Sequence, residues 1–170
     1  ANVDAVQIEN VTMFLQRAKR KIRELVYNLN IDQYQAQDMT LLAEHISEGG
    51  ITEMAYQQEP DSVLWCVRSD GTLLGFTYAR AEEVVGWHRH IIGGAFSSGQ
   101  AVVESVASIP TDSNEDELYM IVKRTINGAT RRYVEYLSLF DYGTDQNDAF
   151  YVDSGLTYSG SAATVITGLD

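Results

Sequence analysis

The sequence predicts a mainly β fold, an antiparallel meander of hairpins with one short helix. Three observations predict it: apolar residues recur at every second position along most of the chain, Asp-Gly and Asn-Gly pairs sit between such runs, and helical spacing occurs in one stretch. Length sets the scale. At 170 residues the chain is one ordinary domain or two small ones. A chain of that size buries roughly 70% of its unfolded surface, so it needs neither disulfides nor a structural metal to stay folded.

The first expected strands are residues 11–17 and 22–27, an antiparallel pair around the polar break Lys19-Arg20-Lys21. That basic cluster reads as a solvated turn, with contact to a phosphate or an acidic neighbour as the functional alternative. The helix follows: Asp38 can cap it, Met39, Leu42, Ala43 and Ile46 fall on one face, and Gly49-Gly50 stops it. Strands return at residues 51–57 and 62–68, then at 72–78 across the turn Ser69-Asp70-Gly71, where Asp-Gly supplies the positive backbone angles of a tight hairpin. After the charged break Glu82-Glu83, residues 84–90 extend that strand or start the next. Residues 118–124 and 131–137 flank Asn127-Gly128, the strongest two-residue turn signal in the chain. Residues 102–109, ended by Pro110, supply their neighbour.

Hairpins with short links and almost no crossover helices favour a meander, and several four-stranded meanders arranged radially make a propeller. A sandwich or a barrel alternates in the same way along each strand, so both stay open on periodicity alone. From Phe140 onward the texture changes: residues 141–148 are polar and turn-rich, and residues 151–170 are full of Ser, Thr and Gly. A boundary is therefore expected near Phe140, leading into another module.

A formal net charge of −12 argues against a positive groove wrapped around nucleic acid, because such binding relies on Lys and Arg displacing counterions from phosphates. An acidic wall can still line a passage through which DNA slides, since like charges keep the strand from adhering. Cys66 stands alone, which excludes an internal disulfide framework and fits a reducing cytoplasm or a particle assembled there. No apolar run approaches the length of a membrane span, and the start, Ala1-Asn2-Val3-Asp4, lacks the layout of a signal peptide. A soluble chain, trimmed or excised because it lacks an initiator methionine, and without membrane insertion of its own, is the expectation.

The run Asp61-Ser62-Val63-Leu64-Trp65-Cys66-Val67-Arg68-Ser69-Asp70-Gly71-Thr72-Leu73-Leu74-Gly75-Phe76-Thr77-Tyr78, followed by Val84-Val85-Gly86-Trp87-His88-Arg89-His90, resembles the tail nozzle or hub proteins of phages and prophages, a DNA-stabilisation-like family. Phe14-Leu15-Gln16-Arg17 with Lys21-Ile22-Arg23-Glu24, Leu41-Leu42-Ala43-Glu44-His45-Ile46, Val103-Glu104-Ser105-Val106 and Asp148-Ala149-Phe150-Tyr151-Val152-Asp153-Ser154-Gly155-Leu156 are similar to the same family. The resemblance covers most of the chain. It implies a β-propeller-like platform over 1–140 and, over 141–170, the start of a following β module or an interface tail. It also implies a subunit that joins other copies in a ring, a hexamer, around a DNA channel in the virion. Neighbouring tail or portal-adaptor proteins and DNA passing without specific binding are the implied partners, and assembly takes place in the bacterial host cytoplasm. Family members are longer, so this chain would hold a couple of blades. Gly93-Gly94-Ala95-Phe96-Ser97-Ser98-Gly99-Gln100 departs from the pattern by its length.

Residues that could carry chemistry have plainer readings. His88 and His90 share a face if their segment is a strand, but a metal needs further ligands, for which His45, Glu104 or Cys66 are the candidates; the plain reading is a polar edge contact or subunit interface. His45 reads as a surface or cap histidine. Cys66 reads as an inert small hydrophobe rather than a catalytic thiolate. Gly-x-Ser-x-Gly, Walker and dinucleotide loops are missing, and Gly93-Gly94 lacks the lysine or following helix of such a loop. The acidic run Asp112-Ser113-Asn114-Glu115-Asp116-Glu117 reads as a solvated loop before a calcium site. Trp65, Trp87, Tyr119, Tyr133 and Tyr136 read as sheet core or interface before a sugar-stacking surface. The expectation is a structural tail component with no catalytic, cofactor or metal site; a module binding a host-surface glycan or protein through its loops is the alternative, and a hydrolase using a metal on His88 and His90 is a weaker third.

Overall fold

The computed structural model describes residues 3–138, 143–146, 149–156, 160–165 and 167. The chain is mainly β, built from antiparallel sheets whose strand orders are open, so none closes into a barrel. The first sheet runs in chain order through β1 (Val6–Ile8), β2 (Val11–Leu15), β3 (Ile22–Asn28) and β4 (Gln33–Asp38). The second does the same with β5 (Ile51–Gln57), β6 (Val63–Arg68), β7 (Leu73–Ala79) and β8 (Val84–His90). A two-stranded ladder, β9 (Ala95–Phe96) with β10 (Gly99–Gln100), precedes the third sheet of β11 (Val102–Pro110), β12 (Asp116–Ile126) and β13 (Ala129–Tyr136).

Turn chemistry places these strands. Asn127 and Gly128 both have left-handed backbones, φ 51° and 76°, and they join Ile126 to its partner Ala129 in the two-residue turn that such angles allow. The Asp70 turn differs from its expectation, because only Gly71 is left-handed (φ 84°). Three residues, Ser69 to Gly71, form the loop, closed by Gly71 N to Arg68 O (2.8 Å) and Arg68 N to Thr72 O (3.0 Å). Asp70 fixes it by accepting from Arg68 Nε at 2.9 Å and from Thr72 N at 3.1 Å. A Cβ on Gly71 would lie 2.4 Å from Val102 Cγ1, so this glycine serves close packing against the third sheet as well as the turn. Lys19, at φ 61°, closes the β2–β3 turn, with Gln16 N bonded to Lys21 O at 2.8 Å. Residues 84–90 start a new strand, antiparallel to β7, after a turn at Arg80–Glu83.

The expected helix after Asp38 is absent, and no described residue is α-helical. Asp38 does cap, accepting from Thr40 N at 3.0 Å, but the bonds that follow are isolated turns: Ala43 N to Thr40 O, Ile46 N to Ala43 O and Gly50 N to Ser47 O. Tertiary anchors outweigh helical propagation. Ser47 Oγ donates to Arg20 O at 2.6 Å, Ile51 N to Lys19 O at 2.7 Å, and Lys21 pairs with both Asp38 and Glu44. Met39, Ala43 and Ile46 pack on the core as the spacing implied, whereas Leu42 is 97% exposed.

The second sheet is covered on both faces. Leu64, Cys66, Leu74 and Phe76 pack with Ile8, Val11, Met13 and Ile22 of the first sheet. The alternate residues Val63, Trp65, Val67 and Leu73 pack with Val103, Val106, Leu118, Met120 and Val122 of the third. Five consecutive buried residues in β6, Val63 to Val67, follow from this double coverage. The boundary expected near Phe140 lies outside the described residues.

Candidate functional site

Two sheet junctions bring polar side chains into the interior. At the junction of the second and third sheets, buried Gln57 accepts from Trp65 Nε1 at 2.8 Å and donates to Asp116 O at 2.8 Å and Glu59 O at 3.2 Å. The Asp116 carboxylate accepts from the Gln58 and Glu59 amides, which makes one member of the acidic run a clamp rather than a solvated charge. Arg124, also buried, donates to Gly93 O at 2.8 Å and makes a two-pronged pair with Glu135. Each of these polar groups is matched.

His88 and His90 do share a face, as strand alternation requires, and their rings pack edge-on against Trp65. His88 Nδ1 lies 2.6 Å from His90 Nε2, so one ring donates to the other, and His88 Nε2 is 3.0 Å from Thr77 Oγ1. Gly75, opposite His88 in the ladder, makes this possible: a Cβ there would lie 2.0 Å from His88 Cε1. Burial lowers the pKa of both imidazoles, and the neighbouring His88 lowers that of His90 further. Proposed co-ligands are elsewhere. Cys66 points to the opposite face of the sheet, where burial pushes its thiol far up, and Glu104 pairs with Lys123 and Arg132 on the third sheet. Among the described residues no three His, Cys, Asp or Glu side chains converge in a metal-holding group.

The junction of the first and second sheets is different. There a cleft of about 710 Å³ opens between β3–β4 and β7–β8, roofed by residues 39–46, with His45 in its lining. Glu24 and Tyr78 reach it from facing sheets, and each is almost completely buried, at 3% and 4% exposure. Neither Glu24 Oε1 nor the Tyr78 hydroxyl has a well-aligned hydrogen bond, yet Glu24 and Arg80 both lie close enough to the phenol to interact with it. Arg80 Nη1 stands 2.8 Å from Glu24 Oε1, an ion pair rather than an aligned hydrogen bond. Burial, with the Glu24 carboxylate adding to it, pushes the Tyr78 phenol up to about 12. Trp87, whose Nε1 donates to Met39 O at 2.8 Å, forms one wall with Phe76 stacked behind it at 4.6 Å. Burial would raise the Asp38 carboxyl on the rim, but hydrogen bonds from Lys21 and Thr40 outweigh it and hold it at about 2.

Sequence reasoning did not single out Glu24, Tyr78 or Arg80. A signal existed: Ile22, Glu24 and Val26 share one face of a strand by period two, which sets a carboxylate in an apolar row. The five aromatics do not form one surface. Trp65 and Trp87 lie on opposite faces of the second sheet, Tyr119 and Tyr136 pair at 5.8 Å on the outer face of the third, and Tyr133 alternates to its other face. No described helix is long and apolar enough to cross a membrane. The chain matches no protein-family model, and a comparison with curated proteins finds no match.

Proposed function

We propose that this chain is a structural component of a bacteriophage tail, a nozzle or hub subunit whose copies form a ring around the DNA channel. The observation that carries the reading is the succession of meanders. The first and second sheets are four-stranded, they stack with the third in chain order, and their first strands are neighbours, β1 against β5 and β5 against β11. Successive propeller blades stack in this way. The resemblance of residues 61–78 and 84–90 to tail nozzle and hub proteins supplies the biological setting. Ring assembly needs a surface that docks head-to-tail on another copy, and the outer face of the third sheet offers exposed Ile121, Val134 and Tyr136 for it. The net charge of −12 suits a wall that DNA slides past without adhering.

Electron microscopy of the intact particle carrying the full-length protein tests the proposal. The expected result is density for this chain in a ring, six copies around the channel. A location off the tail axis, or a protein that stays monomeric within the particle, overturns it. Binding of a host-surface glycan is the second reading, favoured by the exposed Tyr136 beside Tyr119. A glycan array probed with the protein distinguishes the two.

A further inference from the structure

We infer that Asn127, at the tip of the β12–β13 hairpin, is a site of spontaneous covalent modification: its carboxamide converts to aspartate and isoaspartate, which loosens that end of the third sheet. This inference stands independently of the tail reading. The reaction joins the Gly128 backbone nitrogen to Asn127 Cγ. As that bond forms, the Cγ–Nδ2 bond breaks and the Gly128 amide proton leaves with the side-chain nitrogen as ammonia, giving a five-membered succinimide. Water then adds to one of the two ring carbonyls. Addition at Cγ gives aspartate, and addition at the main-chain carbonyl gives isoaspartate, whose backbone runs through Cβ and Cγ. Nothing is oxidised or reduced: water enters and ammonia leaves.

The turn favours the first step in three ways. Gly128 has no side chain to crowd its nitrogen, whereas Asn10, Asn28 and Asn30 precede Val, Leu and Ile, whose branched side chains obstruct that approach. The Asn127 carboxamide is exposed and no described residue holds it, while that of Asn28 accepts from Asn30 N at 3.0 Å and donates to Gln35 Oε1 at 3.2 Å. Nothing packs on the tip: a Cβ on Gly128 would meet no atom within 4 Å, and residues 127–134 are exposed. Ring closure requires rotation about the Asn127 Cα–C bond out of the left-handed turn, and only the terminal pairs Ile126–Ala129 and Thr125–Thr130 have to open for it. Asp70-Gly71 is the internal contrast. There Arg68 and the Thr72 amide hold the carboxylate, Gly71 N is engaged with Arg68 O at 2.8 Å, and Val102 packs against the glycine.

The test ages the full folded chain at neutral and mildly alkaline pH, beside the same chain unfolded in urea. Trypsin cleavage after Arg124 and Arg131 releases residues 125–131, in which mass spectrometry reads the exchange of NH2 for OH and an isoaspartyl methyltransferase labels the isoaspartate. A sample digested at time zero corrects for conversion during handling. Both products should accumulate at Asn127, faster at the higher pH because Gly128 N must lose its proton, and Asp70 should yield none. The folded rate should lie no more than about a hundredfold below the unfolded rate, since only the hairpin tip opens. Asn127→Gln should lose the signal, because its longer side chain would have to close a six-membered ring. Hydrogen exchange at the Ile126 and Ala129 amides should quicken in the isoaspartate fraction while that of Val122 holds. A folded rate below that window, or conversion of Asp70 as fast as Asn127, overturns the site; unchanged exchange at Ile126 and Ala129 overturns the loosening.

Discussion

The two junctions that sandwich the second sheet handle buried polarity in different ways. Between the second and third sheets, Gln57 has its donor and acceptor matched, and Ser105 Oγ adds a 3.0 Å bond to Glu53 across the layers. Between the first and second, Glu24 and Tyr78 are as deeply buried but lie beside an open cleft, where the half-exposed Arg80 meets them. Satisfied networks enclosed in a core rigidify it, whereas a buried carboxylate paired with a half-exposed cation keeps its polarity at the edge of solvent. The difference leaves one junction closed and the other open to solvent beside its polar centre.

The comparison breaks most visibly at Trp65, which is 4% exposed and lies in the closed junction. Trp65→Ala should cost about 3–5 kcal/mol by removing a large buried ring, read as a lower denaturant midpoint. Gln57→Leu should cost about 1–3 kcal/mol, because it leaves Trp65 Nε1 and the Asp116 carbonyl without partners. A midpoint unchanged by Gln57→Leu would mean that water replaces the network, and the junctions would then be alike.

A pH titration sharpens the contrast at intermediate size. His88 and His90 have folded pKa values below the ordinary 6.5, so the unfolded chain takes up protons that the folded pair refuses. Stability should be level above pH 6.5 and should decline as pH falls below it, with the decline removed by the double change His88→Gln and His90→Gln. Asp38 and Glu104, each held at about 2 in the fold, act in a separate window. Their contribution persists above their unfolded values of 3.8 and 4.5 and is lost toward pH 2. The smallest effect belongs to the open junction: Tyr78→Phe deletes a hydroxyl that neighbours Glu24 and Arg80, so stability should fall by about 0.5–1.5 kcal/mol, read as a slightly lower denaturant midpoint.

Strands with one apolar face were legible in the sequence, and so were their turns, because Asn127-Gly128 and Gly71 impose backbone angles that few other residues adopt. β4 was not legible. Gln33 to Gln37 are exposed on both faces, so the segment forms a polar edge strand with no alternation to read. The stretch from Met39 to Ile46 shows the limit of helical spacing: three of its four apolar positions pack inward, but anchors from Arg20, Lys21 and Lys19, far away in sequence, decide the backbone. At the candidate site, the shared face of His88 and His90 followed from strand period. The meeting of Glu24 with Tyr78 depends on how two sheets stack, and nothing local to either residue encodes it.

The chain-order stacking of the sheets also sets the sequence of events as the polypeptide emerges. Every strand pair joins neighbours along the chain, so each ladder can zip without waiting for distant segments. Shielding of Trp65 is another matter, since β11, which helps to cover it, begins only at residue 102. During synthesis the newly formed second sheet therefore passes through an interval with one greasy side bare, and that nascent intermediate is where misassociation has its opening.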